Sequence, residues 1–166
     1  MLNNDLNKFF DDINKNWPEL TSSTNPEIIK LYKIVELSHK NLELFLRDFG
    51  LSPSEFSLLS TLRRCGHPFQ LTPTELSQSM IFSSGGMSKL LVRLSQKKMI
   101  KRSVNSKDKR SHLVTLTQSG KEKIETVMPQ LHALESNYFA RFTLQEKSSL
   151  NMLLDKMLNN LTKKTI

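Results

Sequence analysis

Ser83-Ser84-Gly85-Gly86-Met87-Ser88-Lys89-Leu90-Leu91-Val92-Arg93-Leu94 separates into two faces when wound as a helix at 100° per residue. Met87, Leu90, Leu91 and Leu94 make one apolar stripe, which must pack on the body of a domain. Gly85, Ser88, Lys89, Val92, Arg93 and Gln96 face the other way. That outer face carries small, hydroxyl and cationic side chains and no acid, which suits an element entering a DNA major groove. Ser83 or Ser84 is placed to cap the helix, and two glycines in its first turn let a phosphate approach the backbone N–H groups. Glycine weakens a helix by roughly 1 kcal/mol against alanine. A role other than folding is therefore the expected reason for both.

Charge concentrates in the same place. The 166 residues carry 24 Lys+Arg against 16 Asp+Glu, a net of +8. Between Thr72 and Leu116 there are nine basic residues (Lys89, Arg93, Lys97, Lys98, Lys101, Arg102, Lys107, Lys109, Arg110) and two acidic ones (Glu75, Asp108). This segment therefore holds +7 of the +8. A charge run is commonly just a solvated face, but such concentration is the footprint of a polyanionic partner, here double-stranded DNA.

Outward from this centre the chain reads as mainly α. Residues 2–17 are an amphipathic helix built on Leu2, Leu6, Phe9, Phe10, Ile13 and Trp17, broken by Pro18 and Thr21-Ser22-Ser23-Thr24. Asn25-Pro26-Glu27 starts a long helix that stops at Gly50. Ser52-Pro53-Ser54-Glu55 and Thr72-Pro73-Thr74-Glu75 are capping boxes opening two further helices. The second of these, running through Met80, and the helix described above form a helix-turn-helix, one crossing the DNA backbone and the other reading bases.

Ile100–Val104 and His112–Leu116 are runs with β-formers joined by a basic tip, the pattern of a hairpin wing. Thr117 caps another long helix with Ile124, Val127, Leu131, Leu134, Tyr138 and Phe142 inward and a kink at Pro129. Thr143-Leu144-Gln145-Glu146 is a last capping box, leading into a stripe of Leu150, Leu154, Met157 and Leu161. A winged unit of this size does not need long amphipathic helices at both ends. They are expected to be a homodimer interface, with Leu6, Phe9, Leu150, Leu154, Met157 and Leu161 as its contacts.

The division expected is an N-terminal helical extension over 1–25, a dimerisation and linking helix over 26–50, a winged helix-turn-helix lobe over 51–117, and C-terminal dimerisation helices over 118–166. The candidate DNA-binding residues are Thr72, Ser83, Ser84, Gly85, Ser88, Lys89 and Arg93 of the helix-turn-helix, with Lys107, Asp108, Lys109 and Arg110 of the wing.

The chain resembles the MarR/SlyA-type winged-helix transcriptional regulators from about Pro26 to Leu161. The residues that carry the resemblance are Gly50-Leu51-Ser52-Pro53-Ser54-Glu55-Phe56, Leu71-Thr72-Pro73-Thr74-Glu75-Leu76 and Ser83-Ser84-Gly85-Gly86-Met87-Ser88. The wing adds Asp108-x-Arg110, then Val114-x-Leu116-Thr117-x-x-Gly120. The resemblance implies a homodimer straddling a pseudo-palindromic operator, with Arg110 entering the minor groove and Asp108 holding an arginine in position. It also implies, for many members, a small aromatic or lipophilic effector that releases DNA.

Two positions depart from the family. Lys98 stands where glycine is usual, so the turn there either takes a left-handed backbone or lengthens the helix. Val92 stands where aspartate is frequent, and either meets a thymine methyl or packs on the wing.

Other chemistry finds little support. Cys65 ends a helix, where the dipole gives no help toward a thiolate, so an inert or partly buried thiol is expected. One cysteine excludes an internal disulfide and fits a reducing cytoplasm. His39, His67, His112 and His132 lack ligand spacing, so neither a metal nor a cofactor is expected. The seven methionines read as core filling, or as the lining of an adaptable pocket. No nucleophile–base pair or phosphate loop signals an enzyme. No apolar run reaches a membrane span and no signal peptide pattern opens the chain. Two functions remain: a sequence-specific, effector-responsive regulator, expected to be a repressor, or an architectural DNA coat without an effector.

Overall fold

The computed structural model describes residues 2–81, 86–104 and 112–163. The chain divides into two compact units, Met1–Glu43 and Leu44–Ile166.

In the first unit, α1 spans Leu2–Asn16, a single 3-10 turn follows at Pro18–Leu20, and α2 begins at Pro26 and runs to Arg47. The turn is held by the Trp17 N–H on the Ile13 carbonyl (2.8 Å) and by the Thr24 hydroxyl on the Leu20 carbonyl (2.8 Å). Leu6, Phe9, Ile29 and Tyr32 line a groove between α1 and α2. Phe9 is exposed and Leu6 is half-buried.

The second unit is built from the end of α2 together with α3 (Pro53–Arg64), β1 (Gln70–Leu71), α4 (Pro73–Ser79), α5 (Met87–Gln96), β2 (Ile100–Val104), β3 (His112–Leu116), α6 (Gln118–Ser136) and α7 (Leu144–Lys163). Each capping box forms as written in the sequence. The Ser52 hydroxyl accepts the Glu55 N–H at 3.3 Å and the Glu55 carboxylate accepts the Ser52 N–H at 2.9 Å. Thr72 with Glu75, and Thr143 with Glu146, repeat the exchange. Thr117 accepts the Gly120 N–H at 3.1 Å and so caps α6.

The core is formed by Leu46, Leu58, Leu59, Leu62, Leu76, Leu90, Leu94, Val114, Ile124 and Val127, all fully buried. Leu90, Leu94, Ile124 and Val127 lie on the stripes that periodicity assigns inward. Burying one such side chain contributes about 1.5–3 kcal/mol, so this cluster fixes how the helix-turn-helix sits on α3.

Three features differ from expectation. The wing is not a hairpin alone: β1 adds a third strand in the order β1-β3-β2, with Gln70 opposite Thr115 and Leu71 opposite Val114. The Gln70 side chain also donates to the Thr115 hydroxyl at 2.8 Å.

The helix after Thr117 stops at Ser136, and Asn137–Phe139 tighten into a 3-10 turn. Tyr138 and Phe142, expected inward, are exposed. The 19 residues of α6 outrun the 12 of α3 against which they pack, and the exposed pair lies beyond that contact.

Cys65 is exposed rather than partly buried, because it lies past the last turn of α3. Its thiol donates to the Leu62 carbonyl at 3.0 Å.

Candidate nucleic-acid interface

α4 and α5 are the two arms of the helix-turn-helix. Arg64 of α3 donates to the Ser79 carbonyl at 2.7 Å, capping the C-terminal end of α4 with a cation, where the helix dipole favours one. Thr72 opens α4, and its hydroxyl is engaged with Glu75, accepting from the N–H and donating to the carboxylate at 2.8 Å. The Thr72 N–H, which donates to the same carboxylate at 2.8 Å, and the Thr72 hydroxyl together hold the Glu75 carboxyl below its ordinary value. The Thr72 hydroxyl therefore serves first as a cap.

α5 starts at Met87, later than the sequence suggested. Gly86 is its N-cap at φ 146°, and no side chain caps it. The sequence pattern predicts a serine cap and two glycines in the first turn. Gly86 instead takes a backbone that other residues rarely adopt, ahead of the first turn. The two faces separate as expected. Leu90, Leu91 and Leu94 are buried, while Ser88, Lys89, Val92, Arg93 and Gln96 are all exposed. Val92, at 47% exposure, lies on the outward face, the orientation a base contact requires. Ser83, Ser84 and Gly85 lie outside the described residues, as do Lys107, Asp108, Lys109 and Arg110 of the wing tip.

The turn after α5 settles the question raised by Lys98. The helix ends at Gln96, and Lys98 takes the left-handed conformation at φ 57°. Its N–H reaches the Ser95 carbonyl at 2.9 Å and the Met99 N–H reaches the Leu94 carbonyl at 3.0 Å. This is the glycine-type C-terminal motif formed with a lysine. Thr117 locks the turn from the other side, its N–H on the Met99 carbonyl at 3.0 Å and its hydroxyl on the Lys98 carbonyl at 2.8 Å. β2 then leaves with Lys101 and Arg102 exposed. α5 and the base of the wing are thus held as one piece.

Sequence reasoning missed the other end of α5. Glu55 is 3% exposed, and both its oxygens lie 2.9 Å from the Lys97 ammonium. Lys97 also donates to the Gly50 carbonyl at 2.8 Å, and Arg93 Nε stands 3.8 Å from the same carboxylate. Burial pushes the Glu55 carboxyl up. The Ser52 N–H, Lys97 and Arg93 together outweigh that effect and hold it below its ordinary value. Of the nine cations counted in the segment, Lys97 is therefore paired internally. A capping box predicts the Ser52 contact, but no local pattern joins positions 42 residues apart.

Comparison with known proteins places this geometry. The family description "Transcriptional regulator SarA/Rot" matches residues 40–127. The chain is 30% identical over 148 residues to the multiple antibiotic resistance protein MarR of Salmonella typhimurium, covering 83% of this chain and 97% of that one. It is 27% identical over 150 residues to the HTH-type transcriptional regulator PecS of Dickeya dadantii, covering 88% and 90%. A crystal structure of a cysteine-to-serine mutant of MarR from E. coli, complexed with operator DNA, superposes with a TM-score of 0.68. It is 24% identical and covers 88% of this chain and 97% of that chain. The matched residues 40–127 run from the end of α2 through the wing into α6, and the chain belongs to the MarR-type winged helix-turn-helix transcriptional regulators.

Proposed function

We propose that this regulator binds double-stranded DNA sequence-specifically as a homodimer on a pseudo-palindromic operator and represses transcription from it. The observation that carries the reading is the outward face of α5. It presents Ser88, Lys89, Val92 and Arg93 with no acidic side chain, on a helix whose other face is buried. A helix held in this way can approach base edges without reorganising. The E. coli relative complexed with operator DNA supports the same use of the fold.

The dimer rests on a separate observation. α7 has no buried residue, and Met152, Leu153, Leu154, Leu158 and Leu161 are exposed along it. An apolar surface of that extent on one chain marks a partner. We assign 1–25 and 118–166 to that interface with 26–50 as a dimerisation and linking helix, and 51–117 to DNA. A small aromatic or lipophilic effector that releases DNA completes the proposal, which places the protein in the cytoplasm.

The test is selection of binding sites from a random duplex pool by the wild type and by Ser88→Ala. A changed preferred sequence with unchanged non-specific affinity is the expected result. Identical selected sites would make Ser88 a backbone contact only and remove α5 as the reader.

A further inference from the structure

Glu55 is a buried carboxylate that the DNA-facing surface does not use. A capping box does not require a cation: among the described residues, Glu75 and Glu146 form the same box with no cationic partner and are exposed. At Glu55 the box is buried and a lysine is added. Its ammonium joins two stretches distant in sequence: the Gly50 turn with the first turn of α3 that follows it, and the C-cap of α5. Lys89, Arg93 and Lys97 follow one another at four-residue spacing, so all three lie toward one side of α5. Lys89 is exposed, Arg93 stands at the edge of Glu55's reach, and Lys97 is turned back onto the carboxylate.

We propose that Glu55 is a positioning residue for DNA recognition, which anchors the C-terminal end of the recognition helix to the Gly50 turn through Lys97 and withholds that lysine from phosphate. The inference rests on α5 being the reading helix. Leu90, Leu91 and Leu94 seat one face of α5 in the core, and Lys98 and Thr117 fix the turn after it. The contact of Lys97 with Glu55 and Gly50 adds a polar anchor at the C-terminal end that limits the tilt this packing leaves. Losing that anchor misplaces every base contact made from α5, while phosphate attraction, which tolerates misplacement, persists.

The experiment uses the full chain and a duplex enriched from a random pool by the wild type, beside a scrambled duplex of equal length. Anisotropy at several salt concentrations is read for Lys97→Met, Lys97→Arg, Glu55→Gln and the double variant Glu55→Gln/Lys97→Met. The double variant leaves no unpaired buried charge and so guards against simple unfolding; circular dichroism checks each fold.

Lys97→Met should bind the enriched duplex about tenfold more weakly, with scrambled-duplex affinity and salt slope unchanged, and Lys97→Arg should recover most of the loss. Glu55→Gln should lose about as much on the enriched duplex, although it adds positive charge. Hydrogen exchange without DNA should quicken at Lys97, Lys98 and Met99 in Lys97→Met, Glu55→Gln and the double variant. A salt slope lowered by about one in Lys97→Met, on both duplexes, would make Lys97 a phosphate contact and overturn the proposal. So would tighter binding of both duplexes by Glu55→Gln. If the wild type enriches no sequence, α5 is not the reader and the proposed function falls. The exchange data then still judge the anchor, and unchanged rates there overturn it.

Discussion

Replacing Lys98 with glycine should stabilise this protein. Lys98 sits at φ 57° in the turn that closes α5, where its Cβ crowds the following carbonyl. For an L-residue that conformation costs about 1–2 kcal/mol, and glycine removes the cost. Glycine also widens the unfolded ensemble, which opposes the gain by about 0.4–1 kcal/mol. The difference favours Lys98→Gly by about 0.5–1 kcal/mol. For a domain of this size that raises Tm by roughly 1–4 °C. The hydrogen bonds of the turn are backbone bonds, Lys98 to Ser95 and Met99 to Leu94, so the substitution leaves them intact. Lys98→Ala should change stability by only a few tenths of a kcal/mol, since alanine keeps the same clash. The assay is urea unfolding followed by far-UV circular dichroism at one fixed protein concentration. A destabilised glycine variant, or equal gains for glycine and alanine, would refute the reasoning.

Four further outcomes follow from the same structure. Gly120→Ala should destabilise by about 1–3 kcal/mol in thermal melts, because a Cβ there collides with the Met99 carbonyl and comes within 2.8 Å of Leu116 Cδ1. Stability should decline as pH falls below about the ordinary glutamate value of 4.5. Glu55, Glu75 and Glu146 are all held below it, so the unfolded chain binds protons first. Melts from neutral to acid pH check this, and Glu55→Gln should flatten the acid limb. Leu154→Lys should split or unfold the proposed dimer, read by sedimentation at micromolar concentration; a wild type that sediments as a monomer would end the dimer reading. Arg110→Ala should weaken operator binding by about 1–3 kcal/mol and lower the salt slope by about one, whereas Lys163→Ala should change neither by much. Anisotropy on one duplex compares the two.

Much of the fold was legible because its signals are local. The capping pairs Ser52–Glu55, Thr72–Glu75 and Thr143–Glu146 and the stripe of Leu90, Leu91 and Leu94 each declare themselves within a few residues. The strands at Ile100–Val104 and His112–Leu116 fall where the β-formers do. What was missed depends on distant partners. β1 is two residues long and exists only through its pairing with β3. Tyr138 and Phe142 keep helical spacing, but the element they would pack on ends too soon. Lys97 reads as one more surface cation until the fold brings Glu55 and Gly50 to it. Lys98 left two backbones open, and only the turn itself chooses between them.

The central claim is that α5 reads sequence rather than merely adding charge. The most direct measurement is the ratio of dissociation constants for a duplex enriched from a random pool and a scrambled duplex of the same composition, at physiological salt. A ratio of ~10³ or more is expected of a sequence-reading regulator. Equal affinity for the two duplexes would contradict the claim and leave a protein that coats DNA through its net charge of +8.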